Sequence, residues 1–290
     1  MPEARPTVHR RRLGSALRSL RRAAGMTMDE AAERLALSGK PTLSKIENGK
    51  QRVQPGLALT AFFEVYGVED EATRQTLRAM ATLAASNQRT SLLDEYREAI
   101  QTHGFEEYLH LEELASATES YLTVVSGLLQ TRDYALSIVE RSKVWASRRE
   151  VERFVDLRMA RQAALTRESP LTFSCILDEA ALRRVVGGRA TMKAQLERLL
   201  EAAEQRDNVD LRVLPFDAGA HASMDGSFQV LHFPAGPPVA VVEGKATSVY
   251  LEETGDVDRY RSAFDSLAEQ ALDPDQTRRF FSDLIKDCYT

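Results

Sequence analysis

The sequence predicts a mainly α chain with an α+β second domain. A five-helix N-terminal bundle is followed by a helical segment and a small antiparallel sheet with flanking helices. Two observations carry this. Through residues 8–86 apolar side chains recur at three- and four-residue intervals, the period of a helix with one buried face. Beyond residue 170, five short runs rich in Val, Phe, Leu and Thr are bounded by Pro and Gly, the pattern of strands.

The first helix runs from Val8 to Ala24, with Leu13, Leu17, Leu20 and Ala24 on one face and Gly25 after it. Thr27 opens the second helix as an N-cap, and Glu30 three residues later completes a capping box. Met28, Ala31, Ala32 and Leu35 form its buried stripe. The third helix is "KPTLSKIEN", with Pro41 in the first turn, where its missing N–H costs nothing, and Gly49 as the stop. "PGLALTAFFEVYGV" and "DEATRQTLRAMATLAAS" supply helices four and five. "SNQRT", Ser86–Thr90, breaks the apolar pattern and separates a domain at 1–86 from one at 91–290.

The second domain begins helically, through "LLDEYREAI", "FEEYLHLEELASATESY", "RDYALSIVERSK" and "RREVERFVDLRMARQAAL". The strands follow as "LTFSCIL", "VDLRVLPF", "SFQVLHF", "VAVVEG" and "TSVYLE", with the helix "MKAQLERLLEAAEQ" among them. Two helices near Val257–Ala271 and Asp275–Cys288 close the chain. A 290-residue chain has ample length for two cores.

Charge is distributed unevenly. Residues 1–52 hold 12 Lys/Arg against 5 Asp/Glu, net +7, whereas the rest hold 26 against 38, net −12. A basic head on an acidic body implies that the head alone meets a polyanion. No apolar run approaches the ~20 residues that span a bilayer, and the N-terminus lacks the apolar centre of a secretory signal. Cys175 and Cys288 stand in no metal-ligand spacing. A reduced cytoplasmic protein without membrane, metal or cofactor is expected.

On the third helix Leu43, Ile46 and Glu47 fall on one side, with Lys40, Thr42, Ser44, Lys45 and Asn48 turned outward. Two helices joined by a tight turn, the second polar outside, form a helix-turn-helix arrangement. "LRSLRRAAGMTMDEAAERLALSGKPTLSKIENGK" resembles the lambda-repressor-like, XRE-type DNA-binding domain over residues 10–86. The resemblance implies that Arg21 and Glu47 form a partly buried ion pair tying helix one to the recognition helix. It also implies double-stranded DNA as partner. Lys40, Thr42, Ser44, Lys45 and Asn48 face the groove, while Arg10, Arg11, Arg12, Arg18 and Lys50 are phosphate candidates. Met28 stands where such domains usually carry a phosphate-binding Gln. Lys40 replaces the usual amide, and it can reach a guanine edge or a phosphate.

The second half is similar to a C-terminal domain of unknown function found in many actinobacterial XRE-type regulators. The similarity rests on "YLTVVSGLLQTRDYALSIV", "RMARQAALTRESPLTFSCILDEAALRRVVGG", "DLRVLPFDAGAHASMDGSFQVLHF" and "VYLEETGDVDRYRSAFDSLAEQALDPDQTRRFF". Ser126 occupies a position that is usually Pro. The resemblance implies a transcriptional regulator, often with a small partner protein, and no known catalytic residue. A homodimer held by residues 91–290 is expected, receiving a ligand or partner signal, with Tyr134, Trp145 and Phe154 as a pocket. A DNA-tethered enzyme and an antitoxin-like partner-binding protein are the alternatives. Against catalysis, His221, Ser223 and Asp225 are spaced two apart along one chain, poor geometry for a triad. His103 and His110 have no cysteine near them to complete a metal site. Gly187–Gly188 reads as a helix stop.

Overall fold

Five helices form where the apolar spacing places them: α1 (Val8–Ala23), α2 (Met28–Arg34), α3 (Lys40–Glu47), α4 (Leu57–Tyr66) and α5 (Glu71–Ala85). The computed structural model describes residues 8–85, 95–96, 105–142, 147–234, 236–244 and 248–289. The chain divides into two units. The first comprises Met1–Arg89 with the short segments Phe233–Pro238 and Glu252–Thr254, and the second comprises the remainder. The first unit is therefore not one continuous stretch, and the expected linker Ser86–Thr90 lies outside the described residues.

In the first unit Leu13, Leu17, Leu43, Leu59, Phe63 and Leu77 are buried together in one core. Each large apolar side chain removed from water contributes roughly 1.5–3 kcal/mol. Helix α1 meets α3 at very close range. A Cβ built on Gly14 would lie 2.6 Å from the backbone oxygens of Ile46 and Glu47. Gly49, at φ 68°, holds the left-handed stop after α3, and a Cβ there would meet the backbone of Arg10 and Arg11. Gly14→Ala must push α3 off α1, since backbone cannot rotate away as a side chain can. We expect it to lower stability by about 1–3 kcal/mol. Urea denaturation of the full chain reads this, and an unchanged unfolding curve would refute the close approach.

The second unit is built on a six-stranded sheet of order β3-β2-β1-β4-β5-β6. Its elements in chain order are α6 (Glu106–Leu114), β1 (Ala117–Leu122), α7 (Arg132–Arg141), α8 (Arg148–Arg161), β2 (Thr172–Asp178), α9 (Glu179–Arg183) and α10 (Arg189–Gln205). They continue with β3 (Val209–Leu214), β4 (Phe228–His232), β5 (Val239–Glu243), β6 (Ser248–Leu251), α11 (Thr254–Gln270) and α12 (Pro274–Tyr289). On one face Tyr121, Ile176, Phe228, Val230 and Ala240 pack against Val257, Phe264 and Leu267 of α11. A second core joins α6, α7 and α8 through Leu109, Ala135, Val139, Val155 and Leu157.

Three sequence expectations are corrected. The sheet is antiparallel only from β1 through β4 and β5 to β6, while β1, β2 and β3 run parallel. Helices α7 and α8 carry the chain from β1 to β2, and α9 and α10 carry it from β2 to β3. Such crossovers return a strand in the same direction. The second correction is β1 itself. "ATESY" reads as the end of a helix, yet α6 stops at Leu114 and Ala115 turns to extended backbone. The following residues form a central strand in which Thr118 and Ser120 are buried, their hydroxyls 3.2 Å apart. Gly188 likewise opens α10 as its N-cap rather than closing α9.

Candidate nucleic-acid interface

The capping box between α1 and α3 is complete. The Thr27 N–H donates to Glu30 Oε2 at 2.9 Å, and the Glu30 N–H donates to Thr27 Oγ1 at 3.3 Å. This fixes the start of α2 and so the angle at which the turn is entered. The turn passes through Ala36 at φ 52° and Gly39 at φ 123°, the latter being the N-cap of α3. The Ser38 and Thr42 hydroxyls, 2.6 Å apart, join the turn to the first turn of α3.

Helix α3 buries Leu43, Ile46 and Glu47 and exposes Lys40, Pro41, Lys45 and Asn48, with Thr42 and Ser44 half-buried. Its inner face is held by charge. Arg21 Nε donates to Glu47 Oε1 at 2.6 Å and Nη2 donates to Oε2 at 3.1 Å, while Nη1 reaches the Met26 carbonyl at 2.8 Å. Arg21 and Glu47 are only 8% and 3% exposed, so neither charge has much water. The Glu47 hydrogen bonds raise the Arg21 pKa, outweighing burial, which acts the other way. Burial and the Glu47 charge push the neighbouring Tyr66 phenol up as well.

The cation candidates separate into different environments. Lys45 and Lys50 are exposed, and the Lys40 ammonium lies 4.0 Å from Asp29 Oδ2. Arg18 donates to Asn48 Oδ1 at 2.6 Å and to the Glu47 carbonyl at 3.1 Å, and pairs with Glu253 at 3.3 Å within the same unit. Asn48 also donates to the Ser44 carbonyl at 2.8 Å, so its amide braces the end of α3. Arg10 and Arg11 are half-buried. Arg12 departs from expectation. It is buried, its guanidinium 3.5 Å over the Phe233 ring and 3.4 Å from the Pro237 carbonyl. Burial lowers its pKa to about 10, partly offset by Glu252. It packs as a core cation and does not face solvent as a phosphate contact would. Arg52, exposed and in the same basic run, belongs with the surface cations although it lies beyond the Gly49 stop.

In the second unit two of the three aromatic residues expected to line a pocket are described, and both are packed among other side chains. Tyr134 is buried, and burial raises its phenol pKa to about 12 despite a backbone hydrogen bond near Val125. Phe154 packs on Phe105, their ring centroids 5.7 Å apart. Trp145 lies outside the described residues, as does His103. His221 Nδ1 accepts from the Ser223 N–H at 3.2 Å, and Ser223 Oγ donates to the Gly226 carbonyl at 2.5 Å. These residues close a turn. Among the described residues no cluster of His, Cys, Asp and Glu could hold a metal, and no helix is long and apolar enough to cross a membrane.

Two family models match the chain. A model described as a domain of unknown function, DUF5753, matches residues 105–283. The chain belongs to the DUF5753 family. A second model, described as a helix-turn-helix domain, matches residues 12–77, which span most of the first unit including α2, the turn and α3. No curated protein and no solved structure matches the chain. The helix-turn-helix unit supports a DNA-binding regulator, to which the DUF5753 unit is joined.

Proposed function

We propose that this DUF5753 protein is a sequence-specific transcriptional regulator whose α3 enters the major groove of double-stranded DNA. One observation carries the reading. A helix bearing outward Lys40, Thr42, Ser44 and Lys45 is locked from behind by a buried bidentate pair. A reading element must be rigid if its side chains are to meet base edges in a fixed register. The DUF5753 unit then pairs two chains and receives a small-molecule or partner-protein signal. Its acidic character removes it from direct DNA contact, and a single small head makes few base contacts. Two heads would meet half-sites ~34–36 Å apart on a pseudo-palindromic operator. The protein acts in the cytoplasm and by binding rather than catalysis. Ser223, whose hydroxyl is bonded within its own turn, supports that last point, while His221 is shared between that turn and the Tyr121 hydroxyl, 3.3 Å from its Nε2.

Lys45→Ala tests the base-reading part. On the cognate duplex it should lose ~1–3 kcal/mol and relax the preference against mismatched duplexes. Equal weakening on every duplex would make Lys45 a phosphate contact. The logarithm of affinity should fall with the logarithm of salt, with a slope of about −0.9 per phosphate neutralised. Sedimentation of the full chain tests pairing, and a monomer at micromolar concentration that still binds one site tightly would remove the dimer.

A further inference from the structure

A cleft of about 300 Å³ opens between α6 and α8 of the DUF5753 unit. That volume sits at the small end of ligand pockets, about 300–1,000 Å³, and the space between packed helices is a common place for one. Leu109, Glu112 and Glu113 lie on one face of α6, at helical spacing. Ala160, Ala163 and Ala164 form the opposite wall, and their small side chains leave the space unfilled.

The charged groups around this space are not equivalent. Arg161 directs Nε and Nη2 to Glu112 at 2.8 and 2.7 Å and lays its guanidinium near the Phe105 and Tyr108 rings. Arg167 is used by backbone, with Nε on the Ser169 carbonyl, Nη1 on Glu113 and Nη2 on Ala115, all within 2.6–2.8 Å. Glu112 is matched by Arg161. That leaves the Glu113 carboxylate, to which no side chain or N–H among the described residues donates a hydrogen bond. Partial burial raises its pKa, with Arg167 offsetting part of the effect, and the residue is exposed, so water is its partner at the mouth of the cleft. An organic anion entering the cleft would meet Glu113 and find both guanidiniums engaged. An uncharged apolar molecule would deprive the carboxylate of water and return nothing.

We infer that this cleft binds a small organic ammonium ion, a basic amine on an apolar body, with the amine on Glu113 and the body against Leu109 and the three alanines. A charge-assisted hydrogen bond from the ammonium to the carboxylate supplies what the cleft lacks. As a signal input the site rests on the regulator reading above, whereas the binding itself does not.

Calorimetry on the full chain without DNA tests it, with 2-phenylethylamine as probe and 3-phenylpropanoate as the anion on a similar body. The amine should bind and the anion should not. E113Q should weaken the amine about tenfold or more. A163F, which fills the cleft from an exposed position, should abolish binding. Glu113 and Ala163 are both exposed, so neither change threatens the fold. Absence of amine binding, equal binding by E113Q or A163F, or equal binding of the anion would overturn the inference. Operator affinity measured with and without saturating amine is a separate reading. An affinity that does not move would remove the sensor role from the regulator while the amine site stands.

Discussion

Glu47→Ala should destabilise the helix-turn-helix unit by about 3–5 kcal/mol, the cost of breaking a buried ion pair from one side. The carboxylate is bound through both oxygens by Arg21, at 2.6 and 3.1 Å, and Arg18 Nε stands 3.6 Å from it. Removing it leaves the Arg21 guanidinium buried with the Met26 carbonyl as its remaining acceptor among the described residues, and a second guanidinium close by without the shared anion. Glu47→Gln should cost less, because an amide keeps one acceptor oxygen in place. A domain is stable by only about 5–15 kcal/mol, so the alanine variant should open α1 and α3 together. Hydrogen exchange on the full chain separates this from any effect elsewhere. Amides of α1 and α3 should lose protection while those of the six-stranded sheet keep theirs. If α1 and α3 stay as protected as before, the pair contributes little and α3 is held by Leu43 and Ile46 alone. DNA binding should fall with the lost protection, since the reading helix would no longer be fixed.

The first unit was legible because its signals are local. The Thr27–Glu30 capping box, the Gly25 and Gly49 stops and the stripe of α1 each lie within a few residues of the feature they specify. Even the inward direction of Glu47 follows from helical period beside Leu43 and Ile46. What escaped is nonlocal. "ATESY" continues a helical pattern, and only the flanking strands β2 and β4 make it the centre of a sheet with Thr118 and Ser120 inside. The parallel half depends on where the crossover helices return the chain, which no spacing within a strand records. Arg12 reads as one more surface cation in a basic run until Phe233, far along the sequence, takes its guanidinium. The candidate cleft was invisible for the same reason. Its alanines and Glu113 have nothing distinctive until α6 and α8 are set side by side.

The other large effect concerns a buried pair that no motif announced. Glu112→Ala should destabilise the DUF5753 unit by about 3–5 kcal/mol. Glu112 and Arg161 have side chains only 5% and 7% exposed, joined by two parallel hydrogen bonds across α6 and α8. Burial by itself lowers the Arg161 pKa, but the Glu112 charge and hydrogen bonds more than offset that, and the net direction is up. Next to it Arg158 is half-buried, and burial together with the Arg161 charge lowers its pKa to about 10. Without Glu112 the Arg161 guanidinium is left buried over Phe105 and Tyr108 without its anion, and with the Arg158 charge still acting on it. Replacing both partners by apolar residues, Glu112→Leu with Arg161→Met, should cost less than either single loss, because no buried charge of the pair is then stranded. Urea denaturation of the full chain and of the single and double variants closes the cycle and isolates the coupling. A double variant as unstable as the sum of the two single variants would mean that the side chains act independently. In that case the packing of Leu109, Val155 and Leu157, rather than the pair, sets how α6 lies on α8.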